Sequence, residues 1–232
     1  MDSQSEQEGR TPKEIAVFDF DGTCISGNSP VLLVKYLLRK GKLRPSVFAR
    51  ILVWGIAYKM HLPQNEAWVR SLVFSSFEGM PKAEADAEMY AFYDDWIASR
   101  IRPKALTVMQ EHIDAGRDIW IVSATFDPII VRAHRDIPYD HHVATEMKVD
   151  PQGRYTREVE GRPVEGAEKL RRIEACANEV YGAGNWKLAY AYGDHYSDSP
   201  LLAAAEHPSA VTPGPTLQRL AEKEGWNVLD WK

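Results

Sequence analysis

Residues 15–30 read IAVFDFDGTCISGNSP, and this stretch decides the fold. Ile15 to Phe20 is an apolar run of strand-forming texture, and DGT at 21–23 is a turn signal that ends it. Successive side chains of a strand point to opposite faces, so the spacing predicts Asp19 and Asp21 on one face. Two neighbouring carboxylates in a buried place repel each other and resist ionisation, so other parts of the chain must supply a compensating group. Gly22, in the turn itself, reads as a position that needs an unusual backbone conformation.

Downstream the texture changes. From about 29 to 102, apolar residues recur at helical spacing in PVLLVKYLLRK, SVFARILVWGIAYKM, NEAWVRSLVFSSF and KAEADAEMYAFYDDWIASR, interrupted at Gly41, Pro45, Pro63 and Gly79-Met80-Pro81. The pattern predicts four helices. Beyond Pro103, helix and strand alternate. Helices are predicted over 105–115, 128–136 and 167–181, then from 198 and from 215. Strands are predicted in DIWIVSA (118–124), KLAYAYGD (187–194), SAVTP (209–213) and NVLDW (227–231). HHVATEMKVD, PQG and RYTREVEG read together as a hairpin. Alternating segments of this kind imply an α/β fold with a mainly parallel, Rossmann-like sheet covered by helices on both faces. The first strand belongs with the later ones, so the helical block is an insertion. The predicted organisation is a loose polar tail at 1–13, a core made of 14–27 and 104–232, and an all-helical cap over 28–103.

With 232 residues, 44% hydrophobic and 26% charged, the chain can bury a sizeable core and is neither disordered nor membrane-embedded in composition. The opening MDSQSEQEGRTPKE lacks the basic and apolar regions of a signal peptide. Its two cysteines, Cys24 and Cys176, form no CxxC or His–Cys cluster, which excludes a disulfide framework or zinc site and fits a reducing cytoplasm. The formal charge is −5, yet residues 35–70 carry eight basic residues against the single acidic Glu66. Such a basic region reads as a solvated helix face or as a surface that steers anionic ligands. Within it ILVWGIAY, flanked by Arg50 and Lys59, is too short to span a bilayer. It reads as the hydrophobic core of the cap or as a peripheral membrane contact. No integral membrane segment and no nucleic-acid partner are expected.

In an open α/β sheet, ligands bind outside the carboxyl ends of the strands. Asp19 and Asp21 follow the first strand, Ser123 and Thr125 close the DIWIV strand, and Asp194 and Asp198 follow LAYAYG. Three strand ends thus deliver four carboxylates and two hydroxyls to one crevice. A carboxylate cluster of hard oxygen donors favours Mg²⁺, and carboxylates with Mg²⁺ are what phosphoryl transfer needs.

DFDGT at 19–23, IVSAT at 121–125, Lys169 in GAEKL and GDHYSD at 193–198 resemble, in order, the four motifs of the haloacid dehalogenase superfamily. The insertion is similar to the C1-type cap of its phosphoserine phosphatase-like branch, subfamily IB. AYGDHYSDSPLL and the closing HPSAVTPGPTLQRLAEKEGW look most like the uncharacterised bacterial hydrolases of that branch and its phosphatidylglycerophosphatase C-type members. The resemblance implies a Mg²⁺-dependent phosphomonoester hydrolase acting on a small-molecule or lipid-headgroup phosphate. Asp19 would be the nucleophile that forms an aspartyl-phosphate, and Asp21 the general acid and then base. Ser123, Ala124, Gly22 and Lys169 would hold the phosphoryl group, Lys169 also balancing charge. Asp19, Asp21, Asp194 and Asp198 would serve the metal.

Phosphoserine phosphatases carry a glutamate nine residues after the nucleophile, where this chain has Asn28, so phosphoserine is disfavoured. Thr23 reads as a brace for the loop, Cys24 as a small buried hydrophobe, and His195 is given no catalytic part. Two other readings stand beside the hydrolase: a phosphotransferase or mutase on the same fold, and a non-catalytic anion-binding or peripheral membrane module.

Overall fold

The computed structural model describes residues 11–42 and 73–232. The predicted helix in SVFARILVWGIAYKM, and most of the one in NEAWVRSLVFSSF, lie outside the described residues. So does ILVWGIAY, with Arg44, Arg50, Lys59 and Arg70 of the basic region.

The strands of the core are β1 (Lys13–Asp19), β2 (Asp118–Phe126), β3 (His141–Thr145), β6 (Trp186–Gly193), β7 (His207–Val211) and β8 (Asn227–Leu229). They form one sheet in the order β3-β2-β1-β6-β7-β8, every neighbouring pair parallel. The chain builds outward from β1 to one side, then crosses back to build β6, β7 and β8 on the other. The crevice beside β1 is therefore the topological switch point of the sheet.

Alternation along β1 feeds two cores. Ile15 and Val17 pack with Ile173 and Ala177 of α5 (Ala167–Tyr181), Leu201 and Leu202 of α6 (Ser199–Ala204), and Leu217 and Ala221 of α7 (Pro215–Glu224). Ala16 and Phe18 face the opposite core. There they meet Leu33 and Tyr36 of α1 (Ser29–Arg39), Met89 and Phe92 of α2 (Lys82–Phe92), Met109 of α3 (Pro103–Asp114), and Ile129 and Ile130 of α4 (Asp127–Ala133). The result is a three-layer α/β/α body, as the alternating pattern predicts.

The described part of the insertion shares the second core. Phe74 and Phe77, in the helical stretch 73–77, pack on Phe126 at the end of β2, with ring centroids 4.5 and 6.3 Å away. The entry and exit of the insertion are stitched together: the Ser26 N–H donates to the Arg100 carbonyl and the Arg102 N–H to that of Cys24, both at 2.8 Å.

Three expectations are corrected. β1 stops at Asp19, because Cys24 and Ile25 both donate their N–H to the Phe20 carbonyl and turn the chain there. Asp21 is therefore off the strand and does not share a strand face with Asp19. The proposed hairpin splits at Glu146. His141–Thr145 joins the sheet as an edge strand because Val143 to Thr145 are buried against it, and only β4 (Met147–Val149) pairs with β5 (Tyr155–Val159). The helix expected over 82–100 ends at Phe92, continuing as a π-type turn at Tyr93–Ile97 and a 3₁₀ turn at Ala98–Arg100.

Candidate active site

Asp19 is the last residue of β1, and burial leaves it 5% exposed. Across the crevice, α5 buries Lys169, Ile173 and Ala177 on one stripe, so the lysine occupies the first place of an i, i+4, i+8 apolar pattern and enters the protein. Its Nζ lies 2.6 Å from Asp19 Oδ1 and 2.6 Å from Asp198 Oδ1. Asp198 reaches it from the 3₁₀ turn Tyr196–Asp198 that follows β6, and its Oδ2 accepts the His195 N–H at 3.1 Å. Although Asp198 stands just before α6, its side chain makes no capping bond to that helix and is turned into the crevice.

Asp194, directly after β6, completes the group: single carboxylate oxygens of Asp19, Asp194 and Asp198 all lie within 4.8 Å of one another. Three carboxylates face one ammonium, which leaves surplus negative charge in a buried place. Burial first, then the repulsion of Asp198 and Asp194, pushes Asp19 well above the usual carboxylate range, although Lys169 pulls against it. Asp194 rises to about 6, through burial and then Asp198. Burial disfavours the Lys169 ammonium, but the two carboxylates outweigh it and raise its pKa.

Backbone shape lets these groups approach. Gly22 has φ +78°, and a Cβ on it would fall 1.9 Å from Asp194 Oδ2. Gly193, which sequence reasoning did not single out, keeps space for Asp198, whose Cβ would lie 2.7 Å from any Cβ added there. The donor set fits a hard divalent cation: three convergent carboxylates, short of neutralising charge, held against a turn that has no room for a side chain.

Asp21 does not join this group. Both of its oxygens are taken by Ser29: the backbone N–H donates to Oδ1 and the hydroxyl lies 2.8 Å from Oδ2. Its carboxylate therefore lies outside the cluster in which the sequence reading put it. Burial raises its pKa to about 6, with the Ser29 hydrogen bonds restraining the rise. Ser29 itself is a residue the sequence reading missed. The GNSP stretch suggests only a helix start there, and the contact spans a loop whose path no local pattern specifies.

Ser123 is fully buried near the end of β2, and its Oγ accepts the Thr125 N–H at 3.1 Å, which leaves its own proton to donate elsewhere. The register with β3 shifts between Val122 and Phe126, so residues 123–125 step out of the regular ladder, and Ala124 is partly exposed there. Asn28 is exposed and caps α1, its Oδ1 accepting the Val31 N–H at 3.1 Å. Cys24 is buried, and its thiol donates to the Asp19 carbonyl at 3.0 Å. His195 is exposed and bonds Ser197, outside the carboxylate group.

Fold and site together are those of an α/β enzyme with its reactive groups at the carboxyl ends of the strands. The haloacid dehalogenase-like hydrolase family matches residues 16–203, and the chain belongs to that family. It is 26% identical to the histidinol-phosphatase of Neisseria meningitidis serogroup C, over 95% of this chain and all of that protein. It is also 26% identical to phosphoserine phosphatase SerB1 of Mycobacterium tuberculosis, over 94% of this chain and 70% of that one. A crystal structure of a Bordetella pertussis protein of unknown function superposes with a TM-score of 0.84 at 27% identity, covering 96% of this chain and all of the other. The enzyme class is phosphatase. Among the described residues no helix is long and apolar enough to cross a membrane.

Proposed function

We propose that the chain is a Mg²⁺-dependent phosphomonoester hydrolase that works through an aspartyl-phosphate on Asp19. The observation that carries this reading is the separation of two kinds of carboxyl: Asp19, Asp194 and Asp198 converge around Lys169, while Asp21 stands apart on Ser29. Asp19, Asp194 and Asp198 would hold the ion, which when bound supplies charge neutralisation for the transferring group. Asp19 attacks phosphorus, splitting one slow hydrolysis into two easier displacements. Lys169 offsets the charge of nucleophile and phosphoryl oxygens, and the Ser123 hydroxyl and the backbone N–H of Ala124 donate to those oxygens. Gly22, also expected among the phosphate donors, spends its N–H on the Gly27 carbonyl at 3.0 Å and serves the site only by leaving room for Asp194. Asp21 gives its proton to the leaving oxygen and, in the second step, takes one from water, a task suited to a carboxyl raised toward neutrality.

In this reading the core at 14–27 and 104–232 performs the chemistry and the cap at 28–103 selects a small-molecule or lipid-headgroup monoester. Two relatives are named for phosphate esters that carry an amine. Asn28 places no carboxylate to meet such an amine, and its side chain is committed to capping α1. The test is phosphate release from a panel of phosphoserine, histidinol phosphate, phosphatidylglycerophosphate, sugar phosphates and nucleotides, with Mg²⁺ and with EDTA. Turnover that needs Mg²⁺ is expected. Turnover unaffected by EDTA, or none on any ester, contradicts the reading, and transfer to added acceptor alcohols would mark a phosphotransferase.

A further inference from the structure

We propose that Ser29, backed by Thr125, is a positioning residue that aims the Asp21 carboxyl at the leaving oxygen, so that the first residue of α1, within the inserted segment, is part of the proton-transfer apparatus. The inference rests on the reading of Asp21 as the acid.

Ser29 is fully buried. Its N–H donates to Asp21 Oδ1 at 2.5 Å, and its Oγ lies 2.8 Å from Asp21 Oδ2 and 2.7 Å from Thr125 Oγ1. A carboxyl gripped at both oxygens by one residue is fixed in rotation about its last bond. This is the orientational control that proton transfer in a transition state requires. The serine hydroxyl has one proton and two lone pairs, so while it donates to Asp21 its contact with Thr125 is one in which the threonine hydroxyl donates and Ser29 accepts. Thr125 is itself 1% exposed and stands at the end of β2, and its backbone N–H holds Ser123. One continuous set of contacts therefore runs from the phosphate-side serine through Thr125 and Ser29 to the acid.

The start of the helix does not account for this arrangement. Asn28 already caps α1, its Oδ1 accepting the Val31 N–H, so the Ser29 side chain is not spent on the helix. Its contacts go back to the turn after β1 and across to β2.

The test compares kcat/KM on two esters at one pH: an alkyl phosphate, whose departing alkoxide must be protonated, and dinitrophenyl phosphate, whose phenolate departs unaided. Ser29→Ala is expected to lower the alkyl value by about a hundredfold and the dinitrophenyl value by less than about threefold, within the range of general-acid catalysis. Ser29→Thr, which keeps the hydroxyl, recovers most of the alkyl rate. Thr125→Val, which removes only the backing hydroxyl, shows a smaller loss of the same selectivity and carries the test if Ser29→Ala fails to fold. Equal losses on both esters in the folded variants would make Ser29 merely structural and overturn the inference. Asp21→Asn separates the two levels of the reading. If it too lowers both esters alike, the acid assignment of Asp21 fails, and the inference falls with it.

Discussion

At its amino end β1 begins with Lys13 and Glu14, and at its carboxyl end it stops at Asp19. Glu14 pairs with Arg117 at 2.7 Å and Lys187 at 3.0 Å, and Lys13 with Asp118 at 2.6 Å. Asp19 pairs with Lys169, also at 2.6 Å. The contact geometry is nearly the same, and what differs is water. The side chains at the amino end are a fifth to a third exposed, whereas those of Lys169 and Asp19 are 5% and 7% exposed. In the screened setting, opposite charges roughly balance their desolvation and contribute little. In the buried setting each charge depends on its partner, and an excess of one sign becomes a demand for a cation. One strand thus has a solubilising end and a reactive end.

The largest break in that comparison is Lys169→Met. Measured in EDTA, it should destabilise the protein by about 3–5 kcal/mol, the cost of leaving buried charge without its partner. Mg²⁺ should restore part of the loss by binding only the folded state. A variant as stable as wild type in EDTA would contradict the burial argument. Next comes Gly22→Ala. The positive φ and the 1.9 Å approach to Asp194 predict a loss of about 1–3 kcal/mol together with a weakened affinity for Mg²⁺, so that turnover needs more of the ion, read from melting curves and Mg²⁺ titration of turnover.

A smaller effect belongs to the middle of the strand. His112 packs edge-on against Phe18, and its Nε2 lies 2.8 Å from the Tyr192 hydroxyl. Burial, helped by Arg117, lowers its pKa from 6.5 to about 4. The folded state therefore binds fewer protons than the unfolded chain between those values, so this contribution to stability is complete above about pH 6.5 and is lost as pH falls toward about 4. His112→Phe should flatten that part of the stability–pH curve, and an unchanged slope would count against the assignment. The smallest effect is at the amino end: Glu14→Gln should change stability by less than about 1 kcal/mol, shrink further in high salt, and leave turnover alone.

Much of this was legible from residues 15–30 and the later strand ends. Period-two and helical patterns locate β1, β2, β6 and α5, and the polar residues after those strands mark the crevice. Asp21 was misplaced because the end of β1 is set by two hydrogen bonds to the Phe20 carbonyl, and its carboxylate by Ser29 eight residues on; neither leaves a periodic signal. Lys169 had a usable signal: it shares a stripe with Ile173 and Ala177, which a surface lysine would not. Gly193 had none, since its need arises only when Asp198 folds back against it. The break at Glu146 was hidden because an edge strand and a hairpin arm share one alternating pattern.

The central claim is that Asp19, at the buried end of the strand, carries the phosphoryl group. Acid-quenching the enzyme during turnover of an aryl phosphate with Mg²⁺, followed by mass spectrometry of its peptides, tests it directly. A phosphoryl adduct on the peptide containing Asp19 is predicted, absent in a folded and inactive Asp19→Asn variant. Retained turnover by Asp19→Asn, or an adduct on another peptide, would contradict the account.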